Sequence, residues 1–349
     1  MTPTTTKLKP ISTPTSTPTP RENFLRIVRN EAPYWIGDPF HCFNCAEDSG
    51  VPYLLDASAL AHKRVTRGGI GVRDAWGVVW DWSEDQPGPV PNHFGGNIVV
   101  SDITRWRESF EFPDLDHLDW SAADALAQSV DRETKLVMVQ SPRGMFEFSH
   151  GMMGFEGALE NYLLEPEDMY EMLSAYTDWK IKAAELCIDH MNPDIIVNFD
   201  DWGSKTQMFL PPRVWREILK PLYARFFGYI KSRGVIVMNH CDCYAEDVCV
   251  DMVEVGIDVW QGVTPENDIP AIVEKTEGKL LLFGGVDMPS IDYAGVAEET
   301  VRSHIRATMD KYAPTKRYLP IFSSWLPVFG GVREIARDEM EKHGKRIMG

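Results

Sequence analysis

Seven short apolar runs recur along the chain, and each gives way to small or polar residues before a helix-like stretch begins. They are Tyr34–Ile36, Leu136–Val139, Ile195–Phe199, Val235–Met238, Val259–Val263, Leu280–Gly285 and Leu319–Phe322. A strand that is apolar all round must be covered on both faces, which is the condition of a parallel sheet wrapped by helices. The intervening stretches have helical periodicity: Glu167 to Met191, Arg213 to Arg233 after Pro211-Pro212, Ala245 to Val255, and Val296 to Tyr312. Strands alternating with helices predict an α/β fold. Seven strands at this spacing favour a (β/α)8 TIM barrel over an open doubly wound sheet. No Gly-x-Gly-x-x-Gly follows any run, so a dinucleotide-binding fold has no support. The eighth strand is expected within residues 40–134. That irregular insertion carries Asp74–Trp82 and Gly96–Val100 and reads as a β-hairpin and lid over one barrel end.

Residues 1–20, MTPTTTKLKPISTPTSTPTP, hold too little apolar surface to offset the entropy of ordering them and are expected to be a disordered tail. Residues 21–349 then form one barrel domain, and 44% hydrophobic residues over the 349-residue chain suffice for its core. A net charge of −17 argues against nucleic acid and anionic membrane surfaces as partners. Six cysteines, clustered as Cys42-x-x-Cys45 and Cys241-x-Cys243 with Cys187 and Cys249 apart, suit a reducing compartment rather than a disulfide scaffold. With no apolar stretch long enough to span a bilayer and no secretory leader pattern, the expectation is a cytoplasmic protein.

Barrel enzymes place their chemistry at the C-terminal ends of the strands. The residues there are Asp38–Cys45, Ser141–Glu147, Asp200-Asp201-Trp202-Gly203, His240-Cys241-Asp242-Cys243, Thr264–Asn267, Asp287 and Ser323-Ser324-Trp325. Asp200 could cap a helix and His240 could be a satisfied core histidine. Two adjacent carboxylates, and four possible ligands in a row, shift both towards function, as catalytic acids or metal ligands. Strand alternation pairs His240 with Asp242 on one side and Cys241 with Cys243 on the other, and zinc accepts imidazole, carboxylate and thiolate. The expected catalytic set is Asp200, Asp201, His240 and Asp242, with His240, Asp242, Cys241 and Cys243 as candidate metal ligands. Met145, Phe146, Trp202, Trp260 and Trp325 are either core or the wall of an apolar pocket. Cys42-x-x-Cys45 is half of a zinc spacing without its second half.

Taken together, Arg21–Arg26, Glu31–Trp35, Asp200–Gly203 followed by Gln207, Pro212 and Pro221, the His-x-Asp of His240 and Asp242, Glu254–Asp258 and Phe283–Asp287 resemble the uroporphyrinogen decarboxylase superfamily, in particular its cobalamin-dependent methyltransferase branch. The resemblance covers about residues 21–349 and implies a (β/α)8 barrel. It adds Gln207 to the candidate substrate-binding residues. It also implies transfer of a methyl group from a methylated substrate to the Co(I) of a separate corrinoid protein. The chain departs from that branch's zinc pattern, His-x-Cys with a later Cys: Asp242 takes the place of the first Cys, and Ser323 and Ser324 stand on the last strand. The arginines with which decarboxylases of this superfamily hold propionates are replaced by Pro39–Phe43. The resemblance therefore implies O-demethylation of an aromatic methyl ether, with zinc or an acid on the ether oxygen, and cobalamin carried by the partner. A metal-free lyase acting on a carboxylated substrate is the alternative, for which Arg143 is the one clear strand-end cation; a non-catalytic barrel is the bland reading.

Overall fold

The computed structural model describes residues 18–43, 65–86, 88–322 and 329–348. Residues 1–17 of the expected tail, Cys45, Ser323, Ser324 and Trp325 lie outside the described residues. The tail's last residues, Thr19 and Pro20, are ordered as the cap and first turn of a helix, a correction to its expected boundary.

Helix α1 (Pro20–Val28) opens the fold. Thr19 and Glu22 form a reciprocal capping box at its start, and Pro20 sits in its first turn. Its buried face carries Phe24 and Ile27. The Phe24 ring meets Phe43 at 5.1 Å and Phe283 at 5.8 Å, so one side chain joins the two ends of the chain. Burying it contributes about 2 kcal/mol. Arg21 N–H donates to Thr134 O, its guanidinium pairs with Asp194 at 2.9 Å, and Arg317 donates to Ile27 O. All three partners precede strands, so α1 covers the N-terminal end of the sheet.

That sheet has six parallel strands in sequential order: β4 (Met138–Gln140), β5 (Ile195–Phe199), β6 (Ile236–His240), β7 (Val259–Val263), β8 (Leu281–Gly284) and β9 (Tyr318–Pro320). A parallel bridge from Phe43 to Leu136 adds a seventh position at the β4 edge. A small antiparallel sheet, β1 (Val72–Arg73), β2 (Val79–Asp81) and β3 (Val90–Pro91), lies in the insertion. Alternation splits the core. Met138, Val197, Met238, Val259, Phe283 and Leu319 face one cluster with α1 and Phe43. Val139, Ile196, Val237, Trp260 and Leu282 face the other, under the helices.

Six of the seven expected strands form. Tyr34–Ile36 does not, because the Asn23 side chain of α1 takes its backbone: Tyr34 N–H and Trp35 N–H donate to Asn23 Oδ1, and Asn23 Nδ2 donates to Trp35 O. Gly96–Val100 is no strand either. Val99 and Val100 N–H both donate to Met152 O, at the end of helix α2 (Met145–Met153).

Helices α3 (Phe155–Leu164) and α4 (Pro166–Met191) follow. Glu167 and Asp168 in the first turn of α4 complement the helix dipole, and Asn192 ends it in a left-handed conformation with φ 44°. A proline-started stretch with a π turn, Trp215–Leu219, leads into α5 (Lys220–Ser232). Farther on stand α6 (Cys249–Glu254), α7 (Ile269–Lys275), α8 (Glu298–Tyr312) and α9 (Val332–Met348). Among the described residues no helix is long and apolar enough to cross a membrane.

Candidate active site at the strand C-termini

Strands β5 and β6 run in register, with Phe199 opposite His240, so Asp200-Asp201 and Cys241-Asp242 leave the sheet side by side. His240 lies on the inner face of β6. Its Nδ1 bonds Gln261 Oε1, from the inner face of β7. With Nδ1 engaged by the Gln261 side chain, Nε2 is the ring nitrogen left for a ligand. The Asp242 N–H donates to Asp201 Oδ1 at 2.9 Å. Ligand atoms of Asp201, His240 and Asp242 all fall within 4.8 Å of one another. The chain turns closely here: Gly262, at φ 96°, takes a backbone conformation that favours glycine, and a Cβ there would crowd Asp242 Cβ at 3.1 Å.

Asp200 has a different fate. It is fully buried and accepts from Phe146 N–H at 3.2 Å, Glu147 N–H at 2.8 Å, Trp202 Nε1 at 2.8 Å and the Tyr223 hydroxyl. The two amides are the free donors of the first turn of α2, a natural seat for a carboxylate. Asp200 therefore fixes the start of α2, and with it Glu147.

Glu147 is the residue that the sequence reading left unassigned. Burial, with Asp201 and Asp200 close by, pushes its carboxyl well above the usual range, against the opposing pull of Arg143. Asp200 rises to about 6 through burial, opposed by the hydrogen bonds it accepts and by Lys180. Asp201 also rises to about 6 through burial, with His240 opposing and Asp242 adding to the effect. Carboxyls crowded in this way must hold protons or share a cation.

Arg143 is the basic group of this region. Its guanidinium lies 4.0 Å from the Trp80 ring centre and 3.4 Å from Asp74. Asp74 also accepts from the Trp76 and Val78 amides and from Trp80 Nε1, so β2 is tied to the strand-end loop by this one cluster. Behind the loop, Lys180 of α4 is fully buried and donates to Pro142 O, Arg143 O and Asn198 Oδ1, each at 2.7 Å. Nothing in the helical pattern of 167–191 marks Lys180 out; a lysine on the apolar face was the available signal.

Among the described residues, the side chains expected to wall a pocket lie in the outer core or at the surface. Trp260 alternates outward on β7, fully buried, with its Nε1 donating to Cys241 O. Trp202 folds back under Asp200 against Trp215 and Tyr223. Met145 and Phe146 are buried in the outer core, where Phe146 stacks on Phe209 and Tyr162. Gln207 is exposed, and its backbone oxygen accepts from Ser204. The aromatic surface beside the histidine is Phe199, whose ring centre is 4.7 Å from that of His240.

Cys241 and Cys243 point into the outer core, away from the imidazole. Their sulfurs are 3.0 Å apart, and with Asp201 they form a second close group. Burial, and Cys243 beside it, push the Cys241 thiol well up, so it stays protonated. Cys42, buried, donates its thiol to Pro39 O. One histidine nitrogen and two carboxylates are a donor set that zinc accepts, and Asp201 with the two thiols is a second.

A parallel sheet in sequential order flanked by helices, with acids and a histidine at its C-terminal edge, is a TIM-barrel-like α/β arrangement. The chain is similar in structure to a methyltransferase from Methanosarcina mazei, with TM-score 0.63 at 13% identity over 93% of this chain and 98% of that one. At that identity the two share a fold. An intracellular xylanase from Thermoanaerobacterium saccharolyticum (TM-score 0.36, 11% identity, 62% of this chain, 76% of that one) overlaps too little to carry an argument. The same holds for a GH113 β-1,4-mannanase (TM-score 0.36, 14% identity, 68% and 80%). No family model and no curated protein matches the chain.

Proposed function

We propose that this protein is a methyltransferase that moves a methyl group from a methyl ether, an aromatic one by preference, to the Co(I) of a corrinoid carried on a separate protein. The observation that carries the reading is the triad Asp201, His240 and Asp242, with the imidazole oriented by Gln261. The fold shared with a methyltransferase and the superfamily resemblance of the motifs support it.

Attack on a methyl carbon pushes the bonding pair onto the ether oxygen, and that oxygen must be stabilised as it leaves. Two features of the site answer this need. Burial, with Asp201 and Asp200 beside it, pushes the Glu147 carboxyl well above the usual range, so it can protonate the leaving oxygen. Asp201, raised to about 6, can do so in mildly acidic solution. Asp201, His240 Nε2 and Asp242 would hold a zinc ion, whose Lewis acidity would stabilise the same oxygen. Phe199 offers a flat apolar surface to an aryl ring at this point.

A lyase acting on a carboxylated substrate fits less well. Its substrate would enter among Glu147, Asp200, Asp201 and Asp242, and Arg143 is already engaged by Asp74 and Trp80.

The test begins with metal content on anaerobically purified protein, wild type beside His240→Ala. The expected result is about one zinc per chain in the first and none in the second. An aryl methyl ether is then supplied with cob(I)alamin, and the phenol and methylcobalamin should appear in equal amounts. Asp201→Asn should slow this by roughly 100-fold or more, the scale of a lost acid or ligand. Carbon dioxide released from a carboxylated compound, with no methyl transfer from any ether, would replace this reading with the lyase.

A further inference from the structure

We propose that Cys241 and Cys243 are a redox-modification site: a peroxide joins them in a disulfide, and the closed pair disables the strand end that carries His240 and Asp242. The inference rests on the reading of Asp201, His240 and Asp242 as a cation-binding triad.

The geometry is local and two-sided. Both sulfurs are buried and sit 3.0 Å apart, inside van der Waals contact and about 1 Å beyond a bond. All five described cysteines are free thiols. Between the pair stands Asp242, whose carboxylate groups with Asp201 and His240, while the Asp201 carboxylate also lies within 4.8 Å of both sulfurs and joins the two groups. The backbone around it is held at each step. Cys241 N–H donates to Gln261 O, Trp260 Nε1 donates to Cys241 O, Asp242 N–H donates to Asp201, and Asn267 Nδ2 donates to Cys243 O. Gly262 faces Asp242, where a Cβ would stand 3.1 Å from Asp242 Cβ. Drawing the sulfurs together tightens the three-residue turn, and with its outer face locked the strain falls on Asp242 and its bond to Asp201.

The chemistry closes without another reductant or oxidant. One thiol gives up its proton as its sulfur attacks a peroxide oxygen; the O–O bond breaks, a sulfenic acid forms, and the proton leaves with the displaced hydroxide as water. The second thiol attacks that sulfur, the S–O bond breaks and a second water leaves. Two thiols and one peroxide give one disulfide and two waters. Thiol–disulfide exchange with a dithiol reverses it. A reaction that depends on Co(I) is of use only under reducing conditions, so a switch set by the same conditions fits the proposed activity.

The experiment uses the full chain, reduced and then treated with hydrogen peroxide. The first readout is peptide mass: a loss of two hydrogens on the peptide holding both residues, restored by dithiothreitol. The second is zinc binding, titrated with the metal alone before and after peroxide. The expected results are a 241–243 disulfide and a zinc affinity at least 10-fold weaker, recovered on reduction. Cys243→Ser and Cys241→Ser, each compared with its own untreated state, should show neither change. Sulfinic acid without a disulfide, or a disulfide that leaves zinc affinity unchanged, would overturn the proposal. So would loss of zinc binding in reduced Cys241→Ser or Cys243→Ser, since the metal would then be on the sulfurs. If reduced protein binds no zinc while the disulfide forms, the switch fails together with the metal reading, and the mass result shows that the thiol chemistry survives alone.

Discussion

Gly144 and Asp200 meet so closely that the site depends on a missing side chain. A Cβ on Gly144 would stand 2.0 Å from Asp200 Cγ, an overlap that no rotamer relieves because four donors already fix the carboxyl. Gly144→Ala should therefore cost at least about 2 kcal/mol, the scale of overpacking a buried site. It should also displace Glu147. The check is a denaturant midpoint together with methyl-transfer rate; a midpoint unchanged from wild type would refute the contact. At this scale the sequence was informative about His240, Asp201 and Asp242, because a histidine and acids directly after apolar runs are costly without a task. It was silent on Gly144 and Glu147. Both lie in a strand-end stretch whose meaning comes from Asp200, 56 residues further along, and a glycine needed for close approach looks like any other glycine.

Lys180 shows the same limit one level up. Helix α4 and strand β5 are legible as a periodic helix and an apolar strand, yet what binds them to the site loop is a buried ammonium donating to Pro142 O, Arg143 O and Asn198 Oδ1, helped by the Tyr176 hydroxyl on Arg143 O and the Ser141 hydroxyl on Asn198. Asn198 in turn donates to Asn239 of β6 at 2.7 Å, so the pin reaches a second strand. Lys180→Met keeps the length and the apolar stem but removes a buried charge and its three hydrogen bonds, leaving the acceptors to Ser141 and Tyr176 alone. It should destabilise the protein by about 3 kcal/mol. Hydrogen exchange at the first-turn amides of α2 should rise more than exchange in β8, which the pin does not touch. Uniform loss across both would mean that Lys180 serves stability alone. Strand alternation was the most productive element-scale rule. It separates His240 and Asp242 from Cys241 and Cys243, and applied to β7 it sends Gln261 inward and Trp260 outward. Tyr34–Ile36 failed as a strand because Asn23 supplied its hydrogen bonds, a competition that hydropathy does not record.

At the scale of the whole molecule, the site gathers like charge in a protein that already carries a net −17. Asp200 and Asp201 both bind protons more tightly in the fold than in the unfolded chain, at about 6 against ordinary values near 3.8. Groups of this kind stabilise the fold fully below the unfolded value and lose that contribution as pH rises through the folded one. Surface acids paired with bases, such as Asp338 with Arg302 and Lys342, are shifted down and act in the opposite sense. The net curve of stability against pH therefore mixes the two, and the site must be isolated by difference. Asp201→Asn removes one of the raised groups and leaves the surface pairs in place. In metal-free protein the variant should gain on wild type as pH rises from 4 to 7, by on the order of 3 kcal/mol. The measurement is thermal midpoint against pH for both proteins, with and without zinc. Saturating zinc should erase the variant's advantage, because the cation replaces the proton as the partner of Asp201 and stabilises the wild type by mass action. A flat difference across this range would mean that Asp201 ionises freely, and that a charged carboxylate, not a held proton or a shared cation, is what this site presents to its substrate.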